Sequence, residues 1–279
     1  MTQGGGFRET LRRGERALRD IRDNLIVKPL MNSRPFRRHL QAEAYAIVVD
    51  CADHRLAFDP SDLVIGATIR NSGGWFREST QRVFDALPTR GKTFIDVGAN
   101  IGTQTVYALM FGGFERAVCF EPHPKNAALL RANLALNNLT DRATVVEAAA
   151  GAAQGRATLS VSGHNGGGHS LAYERGLQTI EVDVVTVESV LAGMGLDRSA
   201  LGLAWIDVEG FEAEVLAGWP SLPDLPLMVE RRPLLANFPI DMLSGYRRWA
   251  RIGDGEPEWR TIPTLNPADY RDEVDLLFA

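Results

Sequence analysis

Phe94-Ile95-Asp96-Val97-Gly98-Ala99-Asn100-Ile101-Gly102 is the stretch that decides the fold. A short apolar run carries an acid near its end, a glycine-containing turn follows, and a helical pattern begins at Ile101. Glycine lets the backbone turn tightly and approach a ligand closely. The helix behind such a turn offers unpaired N–H groups and partial positive charge to an anionic group.

The same alternation continues outward. β-type runs at Thr93–Val97, Ala117–Glu121 and Ala143–Ala148 are separated by helical patterns from Ile101 and over Pro124–Asn137. Further along come a strand at Leu203–Val208, a helix at Phe211–Ala217, a strand at Pro226–Glu230 and a helix near Ile240–Arg251. Strands near Trp259–Ile262 and Val274–Phe278 close the chain. Strands alternating with crossover helices predict an α/β fold with a mostly parallel sheet, covered on both faces and wound right-handedly. Gly151–Val185 interrupts this rhythm. Two β-type runs there, Ala157–Val161 and Thr179–Val185, flank His164-Asn165-Gly166-Gly167-Gly168-His169 and predict a hairpin-like insertion.

Two cofactor classes use a strand, a glycine loop and a helix. A dinucleotide site wants G-x-G-x-x-G so that pyrophosphate can lie over the loop, and Asn100 stands where the second glycine belongs. An NAD-linked oxidoreductase is therefore the lesser alternative. S-adenosylmethionine brings a ribose and an amino-acid tail without phosphate. Asp96 suits its ammonium group, while the amides of Gly98, Ala99, Asn100 and Gly102 suit its carboxylate. Phe120-Glu121-Pro122 ends the next strand, and Glu121 lies 23 residues after Gly98. That spacing fits an acid on ribose hydroxyls. Glu147, ending the third strand, is placed beside the adenine.

Taken in order, four pieces resemble the FkbM-type methyltransferase family: the loop from Ile95 to Gly102, Phe120-Glu121-Pro122-His123-Pro124, the run Leu130-Arg131-Ala132-Asn133-Leu134-Ala135-Leu136-Asn137-Asn138, and Ile206-Asp207-Val208-Glu209-Gly210-Phe211-Glu212, with Glu230 closing the next strand. The resemblance covers about residues 92–232. It implies a class I (Rossmann-like) methyltransferase fold, a seven-stranded sheet whose last strand is antiparallel. It also implies O-methylation of a sugar, glycan or natural-product hydroxyl. One residue departs from the pattern: Trp205 stands where the family commonly has lysine.

Methyl transfer to oxygen needs the acceptor held near attack distance and its proton removed. In a doubly wound sheet those groups come from the carboxyl ends of strands. That rule selects Asp207, Glu209 and Glu230 as catalytic candidates, with Asp207 also facing the cofactor. Glu209 has a second reading as an acid at a helix start. His123, between two prolines, is a further candidate for contact with adenosine or substrate, and His164 and His169 sit on the insertion tip. No spaced ligand cluster calls for a metal, and no nucleophile-elbow motif calls for serine hydrolysis.

Composition bounds the rest. The chain has 279 residues, is 45% hydrophobic and carries a net charge of −5, which gives no sign of a nucleic-acid partner. The charge is uneven: residues 1–40 hold ten Arg or Lys against four acids, +6, leaving −11 elsewhere. Apolar residues at Phe7, Leu11, Leu18, Ile21 and Leu25 predict an amphipathic basic helix there. Such a helix suits covering the domain, dimerisation or contact with an anionic surface. Residues 1–90 are read as an N-terminal extension and 91–279 as the cofactor-binding domain. Two cysteines without metal spacing, no 20-residue apolar stretch and no signal-peptide region lead us to expect a cytoplasmic protein. A cofactor-binding protein without catalysis, acting through its basic helix, is the non-enzymatic alternative.

Overall fold

The computed structural model describes residues 45–87, 92–163, 165–172, 178–222, 225–231, 243–253, 255, 257–262 and 274–279. The helix expected over residues 7–26 and His164 lie outside them. The chain divides into two compact units, Met1–Ile47 and Val48–Ala279, and the features below belong to the second.

Its centre is an eight-stranded sheet. In chain order the strands are β3 (Thr93–Val97), β4 (Arg116–Phe120), β5 (Ala143–Val146), β9 (Leu201–Ile206), β10 (Leu227–Arg231), β11 (Arg248–Ile252), β12 (Arg260–Thr261) and β13 (Val274–Phe278). Across the sheet the order is β12-β11-β13-β10-β9-β3-β4-β5. β13 runs antiparallel to both of its neighbours, β10 and β11, as expected of the closing strand. β3 and β9 lie in the middle and every residue of both is buried. Burial on two faces is why they read as unbroken apolar runs rather than alternating ones.

Alternation along these strands divides the core in two. Ile95, Val97, Val118, Phe120, Ala204 and Ile206 face one way, against Leu191 of α5 (Val187–Gly193) and Val215 and Leu216 of α6 (Glu212–Ala217). Phe94, Cys119, Leu203 and Trp205 face the other, against α2 (Arg77–Asp85), α3 (Thr103–Met110) and α4 (Pro124–Leu136). Both cysteines are free thiols. The insertion is a hairpin of β7 (Gly155–Val161) and β8 (Gln178–Val185), extended by β6 (Ala149–Ala150) into a three-stranded sheet. Residues 45–87, which carry no readable code, form β1 (Ile47–Asp50), β2 (Arg55–Phe58), α1 (Ile65–Ser72) and α2. No helix among the described residues is long and apolar enough to cross a membrane.

One expected element is corrected. The helix read near Ile240–Arg251 is replaced, within the described residues, by a turn at Leu243–Tyr246 and the strand β11. Leu243, Tyr246 and Trp249 repeat every third residue, which mimics a helical stripe. Pairing with β12 and β13 overrides that local pattern. β11 is the reason the sheet has eight strands where seven were expected.

The asparagines of the 130–138 run have a structural task. Asn133 of α4 and Asn137, which caps its C-terminal end, lie one turn apart and both reach β2. Asn133 accepts from the Ala57 N–H and donates to the carbonyls of Ala57 and Ile101. Asn137 accepts from the Arg55 N–H at 2.9 Å and donates to the Arg55 carbonyl at 2.8 Å. Asn133 is fully buried, so Asn133→Ala strands three buried backbone groups. It is expected to cost about 2–4 kcal/mol. Thermal melting should register this as a midpoint roughly 5–10 °C lower, and an unchanged midpoint would contradict the role.

Candidate functional site

The parallel register pairs Val97 of β3 with Phe120 of β4, so the two strands finish side by side. The loop beyond β3 is stitched to the end of β4: Gly98 and Ala99 both donate their N–H to the Phe120 carbonyl at 3.0 Å. Glu121 completes the join. One carboxylate oxygen accepts from the Asn100 N–H and the other from the His123 N–H, each at 2.8 Å. Burial pushes the Glu121 carboxyl up to about 7, against the opposing pull of those two N–H groups. Gly98 has φ 85°, and a Cβ on it would lie 1.8 Å from the Asp207 carbonyl oxygen. Only glycine lets β3 and β9 end this close together.

Gly98, Glu121 and Pro122 open onto one crevice, walled by Ala149, Leu159, Leu171 and Phe211. A strap from the insertion tip lies across it. The Gly166 N–H donates to Asp62 at 2.9 Å, and the Asn126 amide donates to the Gly166 carbonyl at 2.8 Å. With the strap in place the crevice holds about 50 Å³, little more than the volume of one or two waters.

The crevice joins a larger cleft of about 510 Å³ through Gly98, Asn100, Gly167, Asp207 and Glu209, which line both. Trp75 and Phe76 form part of its rim, and Trp205 and Met228 lie at its base. At the strand ends the register places Asp207, Glu230 and Asp275 on three adjacent strands. Glu209 joins them, so that carboxylate oxygens of Asp207, Glu209 and Glu230 all lie within 4.8 Å of one another. Burial, then the neighbouring Glu230 carboxylate, raises the Asp207 carboxyl well above the ordinary range. Among the described residues four non-glycine residues have positive φ, and three of them, Phe76, Asn100 and Glu209, line this cleft. Strained backbone of this kind concentrates at binding and catalytic sites.

The structure therefore brings together Gly98, Asn100, Glu121, Pro122, Asp207, Glu209 and Glu230. Others it places elsewhere. Asp96 is buried, accepts a hydrogen bond from the Thr105 hydroxyl and lines neither cavity; burial pushes its carboxyl up to about 7. Glu147 is exposed and pairs with Arg131 at 2.6 Å. His123 caps α4, its ring accepting from the Asn126 N–H, and packs 4.3 Å from His169, on the side of the strap away from the carboxylates. His169, pushed down to about 4 by burial and then by His123, lines the crevice. The amides of Gly98, Ala99, Asn100 and Gly102 are all bonded within the protein. At the start of α3, Thr103 and Gln104 line the cleft. Glu209 is not the acid at a helix start either; Glu212 fills that place, accepting from the Gly210 N–H at 3.0 Å.

Sequence reasoning missed Asp62, Asn126, Thr80 and Phe211. Phe211 lies inside a quoted motif and Asn126 two residues after another, yet nothing in their spacing marks them as lining a crevice.

The family model for the methyltransferase FkbM domain matches residues 96–236, just over half of the chain. Among solved structures, a methyltransferase FkbM from Methylobacillus flagellatus KT is 18% identical with a TM-score of 0.44; the alignment covers 68% of this chain and 44% of that one, under half its length. The C-terminal domain of precorrin-6Y C5,15-methyltransferase from Rhodobacter capsulatus is 15% identical, TM-score 0.39, covering 73% of this chain and 85% of that one. A putative RNA methyltransferase from Pyrococcus horikoshii is 13% identical, TM-score 0.38, with 72% and 79% covered. No curated protein matches. The family match begins at Asp96 and runs through the glycine loop, Glu121 and the carboxylate cluster to the strand that Glu230 closes, and the sheet around it has the class I methyltransferase order: the chain belongs to the FkbM methyltransferase family.

Proposed function

We propose that this protein is an S-adenosylmethionine-dependent O-methyltransferase acting on a hydroxyl of a small molecule or glycan. The observation that carries the reading is the convergence of Gly98 and Glu121 on one crevice that opens into a cleft ending in carboxylates. The residues present suit the cofactor. Glu121 keeps acceptor capacity beyond its two backbone bonds, enough for ribose hydroxyls. Leu159, Leu171 and Phe211 offer apolar faces for a base. The Asn100 side-chain oxygen is buried without a hydrogen-bond partner among the described residues.

S-adenosylmethionine supplies the activated methyl group. The chain's task is to hold the acceptor oxygen about 3–3.5 Å away and in line. The rim at Trp75 and Phe76 offers aromatic faces for the acceptor body, and the carboxylates at the strand ends stand ready for the hydroxyl proton. Trp205 closes the base of the cleft with an apolar surface. Transfer of a labelled methyl group to small molecules in a cell extract, identified by mass spectrometry, tests the activity. Calorimetry with adenosylhomocysteine, against NADH as comparator, tests the cofactor; preference for NADH would overturn the reading.

A pH dependence follows from Glu121. Ribose hydroxyls bind its ionised form, and in the ligand-free protein that form fades as pH falls through about 7. Affinity for adenosylhomocysteine is expected to weaken about tenfold between pH 8 and pH 6. Ligand-free stability moves the opposite way. Folded Asp96 and Glu121 hold their protons more tightly than the unfolded chain does, so this contribution is complete below the ordinary carboxylate values and is lost as pH rises through about 7. Calorimetric titrations and melts across pH 5–8 measure both slopes, and a flat affinity profile would remove Glu121 from the ribose site.

A further inference from the structure

We propose that the turn between α1 and α2 selects the acceptor, and that the acceptor carries its hydroxyl on a large apolar body rather than on a free sugar. This rests on the reading of the 510 Å³ cleft as the acceptor's place. The first observation is where apolar surface is left in water. Six large apolar side chains stand well exposed among the described residues; two of them, Val64 and Phe76, line the cleft, and a third, Leu63, adjoins Val64 in the chain. Phe76 is 63% exposed, and its ring packs edge-on against Trp75 with centroids 4.6 Å apart. Apolar surface gathered at the mouth of a cleft marks a place that a ligand covers.

The second observation is strain. Phe76 has φ 49°, in the left-handed region where a bulky side chain is an outlier. The turn holds it there from both sides. The Gly73 N–H donates to the Ile69 carbonyl at 2.8 Å, the Ser72 hydroxyl to the Gly74 carbonyl at 3.1 Å, and the Trp75 N–H to the hydroxyl of fully buried Tyr107 at 3.1 Å. The Phe76 carbonyl accepts from the Ser79 hydroxyl at 3.0 Å and from the Thr80 N–H at 2.9 Å. A strained residue kept by so many contacts, with its ring turned out to solvent, contributes little to the core. Strain of this kind belongs to ligand clamps.

The third observation is polarity. A sugar ring can lie on an aromatic face, but the hydroxyls round its edge need partners. On the Val64 flank the backbone groups are already bonded. The Val64 N–H donates to Asp62 at 2.8 Å, and the Val64 carbonyl accepts from the Thr68 N–H at 3.0 Å and the Thr68 hydroxyl at 2.8 Å. An aliphatic or fused-ring body loses nothing there and gains by leaving water.

The test uses the full chain, with adenosylhomocysteine present and Nile red, an uncharged apolar dye, as the probe. We expect the dye to bind, 1-decanol to displace it and maltose to leave it in place. Phe76→Asn should weaken dye binding about tenfold and Val64→Ser about threefold. Met194→Ser, at an exposed residue outside the cleft, should bind it as the unaltered protein does. Asparagine tolerates the left-handed region better than phenylalanine, so Phe76→Asn is expected to melt at the unaltered midpoint or above it. No dye binding, displacement by maltose, equal binding in all four proteins, or dye loss matched by a lower midpoint overturns the proposal. Labelled methyl transferred to a cell extract should then be recovered in ethyl acetate rather than in water. Label confined to water-soluble products overturns the apolar acceptor and leaves the methyltransferase reading standing. Failure of the unaltered protein to bind adenosylhomocysteine, with decanol still displacing the dye, supports the apolar rim and counts against the methyltransferase reading instead.

Discussion

Gly98→Ala is expected to lower the melting midpoint by roughly 6–12 °C, from a cost of about 3 kcal/mol or more, and to abolish cofactor binding. Two separate penalties meet at this one atom. The backbone sits at φ 85°, which an L side chain rarely adopts. The added Cβ would also lie 1.8 Å from the carbonyl oxygen and 2.8 Å from the carbonyl carbon of Asp207. Neither neighbour is a flexible side chain that can swing away. Relief requires β3 and β9 to part at their carboxyl ends, which is where crevice and cleft meet. A melt and a calorimetric titration suffice; a protein that melts and binds as before would show that the loop has another conformation.

Glu121→Ala is expected to weaken adenosylhomocysteine binding about 100-fold, the equivalent of losing one to two charge-assisted hydrogen bonds. The substitution acts twice. It removes the acceptor for the ribose, and it releases the N–H groups of Asn100 and His123, which hold the glycine loop and the start of α4 in place. Glu121→Gln separates these effects. An amide has one oxygen for two converging N–H donors, so one anchor survives and the other faces a second donor. Its affinity should fall between those of the unaltered protein and the alanine variant, and should lose the pH dependence. An alanine variant with unaltered affinity would place the ribose elsewhere.

The central β/α alternation was legible because its strands are buried on both faces and bounded by glycine or proline. β3, β4, β9 and β10 fall within two residues of their expected limits. β11 was not, because its partners lie at other points of the chain and its own apolar spacing imitates a helix. The site divides along the same line. Gly98, Glu121 and Asp207 follow strand ends and could be placed by counting, whereas Asp96 faces away because alternation along β3 turns it toward Thr105. Glu147 was set beside the adenine by the same counting, yet β5 lies at the sheet edge, and Glu147 just beyond it reaches solvent and Arg131. Asp62 and Thr80 come from a region without motif or period. Only the folded chain shows that they meet the strap and the cleft.

The reach of α4 toward β2 has one more consequence. Backbone groups of Arg55 and Ala57 point to the same side of their strand, and both pairs are satisfied by amide side chains rather than by another strand. With β1 on its far side, β2 presents no open ladder there for a foreign chain to extend. Two asparagines thus serve as a guard against edge-to-edge aggregation, using a helix where most proteins use lysine, proline or a bulge.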